Sequence, residues 1–266
     1  LINQCANISK DKIMWSMYSA IGQGISHKQS DLVCQDRTYV MENEIISVIA
    51  LADGAGSYAH SEEGAELITY EISKFMLENY SLLFNDENSI IEIIKNQIID
   101  RLTEYAQEKN YELDDLSSTL LLVAIDKINK TFITIHIGDG VIGVNRKSEL
   151  LLLSDSQNGD SPNMTFMTTS ENLERYLRVQ KAELESDING FVLLSDGGAH
   201  VLFDHQAKMF TKNAHKIVDH AISGSMTPEL LDSFTNEYLV QKCKVFDDCS
   251  IAILAKVDNN IIGEAD

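Results

Sequence analysis

Apolar residues recur along this chain with two periods, and the changes between them mark out strands and helices. Residues 45–52 (IISVIALA) form a continuous apolar run of strand length that ends at Asp53-Gly54, where the chain must turn. Over 61–80 the spacing changes: Ala65, Ile68, Ile72, Phe75 and Met76 step by three or four and predict a helix with one apolar face. A second helix over 88–110 follows from Ile91, Ile94, Ile98, Leu102 and Tyr105, and the two are expected to pair antiparallel. Segments 118–125, 131–137, 141–144 and 150–153 are rich in β-formers between short polar turns, which predicts an antiparallel meander. After a polar stretch at 154–189, residues 191–194 form another strand running into Ser195-Asp196-Gly197. Helices over 211–223 and 228–241 then precede Asp247-Asp248 and a closing strand at 250–255. This order predicts an α+β fold, a sandwich of two antiparallel β-sheets between helical layers. Only Pro162 and Pro228 interrupt the chain, and no linker or repeat divides it, so residues 1–266 read as one domain.

Charge narrows the function. The chain has 21 basic and 41 acidic residues, a formal net charge of -20. Such a surface repels nucleic-acid phosphates and anionic membranes, and neither is expected as a partner. Cys5, Cys34, Cys243 and Cys249 show no metal-thiolate spacing, and the opening LINQCANISKDKIMW has no apolar stretch of signal-peptide length. Free thiols, a soluble protein and a cytoplasmic location are the expectation.

Four aspartates flank predicted strand ends: Asp36 before one, Asp53 and Asp196 after two others, Asp247 before the last. A single strand-end Asp is ordinarily a turn former. Four on converging strand ends suit a hard divalent cation, which takes oxygen ligands and keeps several waters. Glycine after Asp53 and Asp196 lets backbone approach closely. These residues indicate a metal site without naming a reaction.

The strings around them do name a family. Ser26-His27 with Cys34-Gln35-Asp36, then ALADGAGS at 50–57, SSTLL at 117–121, HIGDG at 136–140, LLSDGG at 193–198 and FDDCSIAIL at 246–254 occur in order along nearly the whole chain. Together they resemble the metal-dependent protein phosphatases of type 2C, in a form closest to a bacterial signalling branch. The resemblance implies a sandwich of two antiparallel sheets flanked on each side by antiparallel helix pairs. It implies a protein serine/threonine phosphatase acting on a phosphorylated protein, with two Mn²⁺ or Mg²⁺ ions per site. By the same resemblance Asp53 bridges two metals and Gly54 offers its carbonyl to the first, while Asp196 and Asp247 complete the ligands of the second metal. Asp36 anchors water on the first metal's side or binds it directly, and Asp53 and Asp36 carry the catalysis. Asp139 matches the position of a third, weaker metal, although it reads equally as a turn residue. Water held between cations about 3.5–4 Å apart would attack phosphorus in line with the leaving oxygen. Asp248, where related sequences tolerate an amide, is expected to matter less than Asp196.

The chain departs from the better-known eukaryotic pattern in two places. No Arg stands in 31–35, and Ala55 rather than His follows Gly54, so phosphate capture and leaving-group protonation have no assigned residue. His27 and Lys28 are the substitute candidates for substrate binding; Arg37 is not, because a neighbouring strand residue can face the other way. Residues 158–169 match the family's variable flap. The missing Arg keeps one rival open, an inactive pseudophosphatase that binds phosphoproteins. A calcium loop at 155–166 fails on spacing, with Asp160 at its sixth position and Phe166 at its twelfth. Gly22-Gln23-Gly24 lacks the third glycine of a nucleotide loop.

Overall fold

The computed structural model describes residues 14–157 and 165–257. One sheet contains β1 (Met14–Gly22), β6 (Val141–Arg146), β7 (Glu149–Ser154), β9 (Ile188–Leu194) and β12 (Cys249–Val257), in the order β1-β12-β9-β6-β7. The other contains β2 (Arg37–Glu42), β3 (Ile46–Ala52), β4 (Leu120–Asp126), β5 (Thr131–Ile137) and β8 (Arg178–Glu183), in the order β2-β3-β4-β5-β8. All their pairings are antiparallel. A short hairpin, β10 (Phe203–Asp204) and β11 (Met209–Phe210), stands apart.

The central strands read as unbroken apolar runs because both their faces are covered. Ile49, Leu51, Leu121, Val123 and Ile125 turn inward to meet Phe191, Leu193, Ala252 and Leu254 of the opposite sheet. The alternate positions Val48, Ala50, Leu120, Leu122, Ile133 and Ile135 face outward. There they pack under α2 (Ser61–Asn85) and α3 (Ile90–Lys109) through Ile68, Ile72, Met76, Ile94, Ile98 and Leu102. The outer face of the other sheet is covered by α4 (Asp196–Leu202), α5 (Lys212–Ile222) and α6 (Pro228–Ser233), with α6 continued by a wider π-helical stretch, Phe234–Lys242. Helix, sheet, sheet and helix therefore stack in four layers, as the pattern predicts.

Three expectations change. The four strands predicted as one meander are two hairpins in different sheets, β4-β5 in one and β6-β7 in the other. The chain crosses at Gly138-Asp139-Gly140, where Gly138 has φ +109, a conformation that favours glycine. Helix α2 runs to Asn85 rather than 80, carried on by the fully buried Leu83 one turn beyond Tyr80. The polar stretch 154–189 contains β8, whose Arg178, Gln180, Lys181 and Glu183 are what an edge strand carries to discourage further pairing. Edge strand β1 and short helix α1 (Ile25–Gln29) escaped prediction because neither buries a regular face, while β2 stands where a strand was expected after Asp36.

Candidate metal centre

The aspartates gather at one end of the sandwich. Asp53 follows β3, Asp139 follows β5 and Asp36 precedes β2, all on one sheet; Asp196 follows β9 and Asp247 precedes β12 on the other. Antiparallel pairing sets this arrangement: Arg37 pairs with Ala52 and Ile251 with Leu194, so the starts of β2 and β12 lie beside the ends of β3 and β9.

The chain holds Asp53 through its backbone. Its N–H donates to Thr119 Oγ1 at 2.9 Å and its carbonyl accepts from the Thr119 N–H at 2.8 Å. At Gly54 an added Cβ would lie 2.8 Å from the Ser61 carbonyl carbon and 3.0 Å from the Gln35 oxygen, so the close approach excludes larger residues. Asp36 is completely buried, and its Oδ2 accepts from Ser250 Oγ at 2.6 Å. Its Oδ1 has no hydrogen-bond partner among the described residues. Asp196 and Asp139 are half-buried and Asp247 is exposed, so the group forms a cleft with Asp36 at its floor. Thr165 Oγ1 donates to Asp139 Oδ2 at 2.6 Å, tying the described end of the flap to the Gly-Asp-Gly crossing.

Electrostatics tie the five aspartates together. Burial pushes the Asp53 carboxyl well above the usual carboxylate range, and Asp36, Asp196, Asp247 and Asp139 push it the same way. Asp36 is raised by burial, against the Ser250 hydrogen bond, and by Asp248 and Asp196. Asp196 is raised by burial, Asp139 and Asp247. The basic residue beside them is turned away: Arg37 donates to the carbonyls of Cys34 at 2.6 Å and Asp36 at 2.8 Å and lies 3.6 Å from Glu66. Carboxylates buried in this way take up either protons or cations, and the orphaned Asp36 Oδ1 is an oxygen left over for a cation. The donor set, all oxygen, fits Mg²⁺ or Mn²⁺.

No three of these aspartates converge on a single point. Among the described residues, the group of three with ligand atoms all within 4.8 Å of one another is His60, Glu62 and Glu63. Glu63 there already accepts from Tyr105 at 2.7 Å and Tyr111 at 3.2 Å, and His60 stacks on Tyr111 with ring centroids 3.6 Å apart. That cluster ties the start of α2 to the end of α3. The wider spread of the aspartates suits ions that complete their shells with water.

The candidate phosphate-binding residues fare differently. His27 Nδ1 lies 2.9 Å from Asp248 Oδ2, in contact but without the alignment of a directed hydrogen bond. Lys28 is exposed and makes no ion pair among the described residues. Part of the flap, residues 158–164, lies outside the described residues.

Three side chains support this group through contacts that the sequence reading did not foresee. Asp248, only 1% exposed, accepts from the Gly24 N–H at 2.7 Å and the Gln35 N–H at 2.6 Å. Both its oxygens are acceptors, so an amide would set one N–H against another, which bears on the expectation that Asp248 matters less than Asp196. Thr119 and Ser250 lie within the strings SSTLL and DDCS, but a string does not show which atom a hydroxyl will meet.

Comparison with known proteins identifies the family and the fold. A family model described as Protein phosphatase 2C matches residues 23–233. Serine/threonine-protein phosphatase 3 of Escherichia coli (strain K12) is 28% identical over 166 residues, a stretch covering 59% of this chain and 64% of that protein. Among solved structures, PppA of Pseudomonas aeruginosa superposes with TM-score 0.63 at 15% identity, covering 92% of this chain and 99% of that one. The S. agalactiae serine/threonine phosphatase does so with TM-score 0.61 at 19% identity, covering 92% and 100%. Stp1 of Staphylococcus aureus gives TM-score 0.59 at 16% identity, covering 94% and 96%. These structures share the fold; the family match, which takes in the Asp36, Asp53, Asp139 and Asp196 positions, places the chain in the protein phosphatase 2C family, whose members are metal-dependent.

Proposed function

We propose that this chain is a protein serine/threonine phosphatase that removes phosphate from phosphoserine or phosphothreonine with two bound Mn²⁺ or Mg²⁺ ions. The observation that carries the reading is Asp53, surrounded by four other carboxylates at one end of a protein phosphatase 2C fold. Asp53 would bridge the ions, with Gly54 lending its carbonyl, Asp36 on one side, Asp196 and Asp247 on the other, and Asp139 serving a third, weaker ion. When bound, such ions lower the pKa of water from 15.7 to about 7 and offset phosphoryl charge.

The chain's own part is positional. Thr119 holds the backbone of Asp53, and Ser250 orients the Asp36 carboxylate by its 2.6 Å hydrogen bond, so that carboxylate need not reorganise as charge develops. His27, beside Asp248, and exposed Lys28 are the candidates to hold the phosphorylated substrate. The enzyme is proposed as one catalytic domain in bacterial signalling, placed in the cytoplasm. Among the described residues no helix is long and apolar enough to cross a membrane. A phosphoprotein-binding pseudophosphatase is disfavoured, because such a protein would be expected to lose a metal carboxylate and here all five remain grouped.

The test is hydrolysis of a phosphothreonine peptide and of p-nitrophenyl phosphate with Mn²⁺, with Mg²⁺ and with EDTA, beside Asp53→Ala. Metal-dependent turnover absent from the variant supports the reading. A folded wild-type protein that is silent under every metal rejects it.

A further inference from the structure

Asp36 and Asp247 stand on different sheets, and something must fix the distance between them. Asp248 bridges that gap. Its Oδ1 accepts from the Gly24 N–H at 2.7 Å and its Oδ2 from the Gln35 N–H at 2.6 Å, so one carboxylate grips both ends of the segment 24–35. Gln35 is the residue before Asp36, and Asp247 is the residue before Asp248. The ring of His27, inside the same segment, lies 2.9 Å from Oδ2. Two further backbone bonds seat the segment on the approach to β12: the Ile25 N–H to the Val245 carbonyl at 3.2 Å and the Ser26 N–H to the Phe246 carbonyl at 3.0 Å. A Cβ at Gly24 would collide with the backbone of Phe246 and Asp247, so the two strands of chain lie in direct contact.

A buried carboxylate with two backbone N–H donors and a neighbouring imidazole is held in one orientation, and charge-assisted bonds of this length are the strong kind. We propose that Asp248 is a positioning residue that sets the spacing between the metal-ligating aspartates of the two sheets. The proposal rests on the phosphatase reading only in taking Asp36 and Asp247 as metal ligands. Asp248 itself needs no contact with the metal or the substrate. Partners that orient metal ligands from behind typically change affinity about 10–100-fold when lost.

The experiment compares the wild-type chain with Asp248→Asn, Asp248→Glu and, as a control, Ser26→Ala, which removes only a side-chain bond to the Phe246 carbonyl. Mn²⁺ affinity is measured by titration calorimetry, metal-free melting is recorded, and p-nitrophenyl phosphate turnover is followed at low and high Mn²⁺. Asp248→Asn is expected to melt cooperatively, to bind Mn²⁺ at least about tenfold more weakly, and to recover most of its turnover at high Mn²⁺. Ser26→Ala is expected to bind as wild type does. Unchanged Mn²⁺ affinity in a folded Asp248→Asn overturns the proposal. If that variant fails to fold, Asp248→Glu decides, since it keeps the charge and moves it by one methylene: weaker Mn²⁺ binding supports the clamp and wild-type binding overturns it. A wild-type chain that binds Mn²⁺ but hydrolyses nothing rejects the phosphatase reading and leaves the affinities to decide the clamp. A wild-type chain that binds no Mn²⁺ rejects both.

Discussion

Asp53 occupies a place where burial and four neighbouring carboxylates all oppose its charge. Asp53→Ala should therefore abolish metal-dependent turnover yet melt no lower than wild type when metal is absent, which parallel activity and thermal-melt measurements would check. Asp196→Asn should also lower turnover sharply, with the loss largest at limiting Mn²⁺; a loss independent of Mn²⁺ concentration would count against its role as a ligand. His136 makes a separate prediction. Its Nδ1 lies 2.8 Å from Ser154 Oγ and its Nε2 3.0 Å from the Gly138 carbonyl, partners that a neutral ring satisfies. Burial, helped by the Arg178 cation, pushes its pKa from 6.5 down to about 3. The unfolded chain then takes up a proton that the folded chain refuses, so this stability is whole above about pH 6.5 and drains away as pH falls toward 3. The raised aspartates act in the opposite sense in the metal-free protein. Urea melts of wild type and His136→Gln across that window would isolate the histidine, with the variant showing the shallower acid loss. The aspartates could be read from sequence because each stands beside a strand end with its own short string. Asp248 could not, because its acceptor role depends on the backbone of residues more than two hundred positions away.

Among the elements, the buried ones were the legible ones. Strand β5 falls at the predicted 131–137, and α3 within a residue or two of its predicted bounds, because each presents a repeating apolar face to a neighbour. The edge strands β1 and β8 have one side open and lack such a repeat, and no local pattern announces them. The meander failed for another reason: β-rich segments joined by short turns look alike whether the next strand stays in its sheet or changes sheets. The change turns on Gly138. At φ +109, a Cβ there would lie 2.5 Å from Thr119 Cγ2. Gly138→Ala is expected to cost roughly 1–3 kcal/mol and, by displacing Thr119 from the Asp53 backbone, to lower turnover as well. Chemical denaturation together with an activity assay would show both, and a variant as stable as wild type would refute the account of the crossing.

At the scale of the whole molecule, the candidate ligands join two sheets, so metal should hold the sandwich together as well as serve the reaction. Mn²⁺ at about a hundred times its dissociation constant should stabilise the folded state by about 2.7 kcal/mol. EDTA should reverse both that gain and all hydrolysis, and Asp53→Ala should show no thermal response to Mn²⁺. Differential scanning calorimetry with and without metal would settle this. The place of β12 has a consequence for the protein's birth on the ribosome. Strand β12, the last among the described residues, lies between β1, the first of them, and β9, inside its sheet rather than at an edge. Until β12 has left the ribosome, β1 has no neighbour in its sheet among the described residues, and Asp36 lacks the Ser250 hydroxyl. A nascent chain should thus lack its full group of aspartates until β12 has docked, so that metal binding waits on a strand far along the sequence from β1.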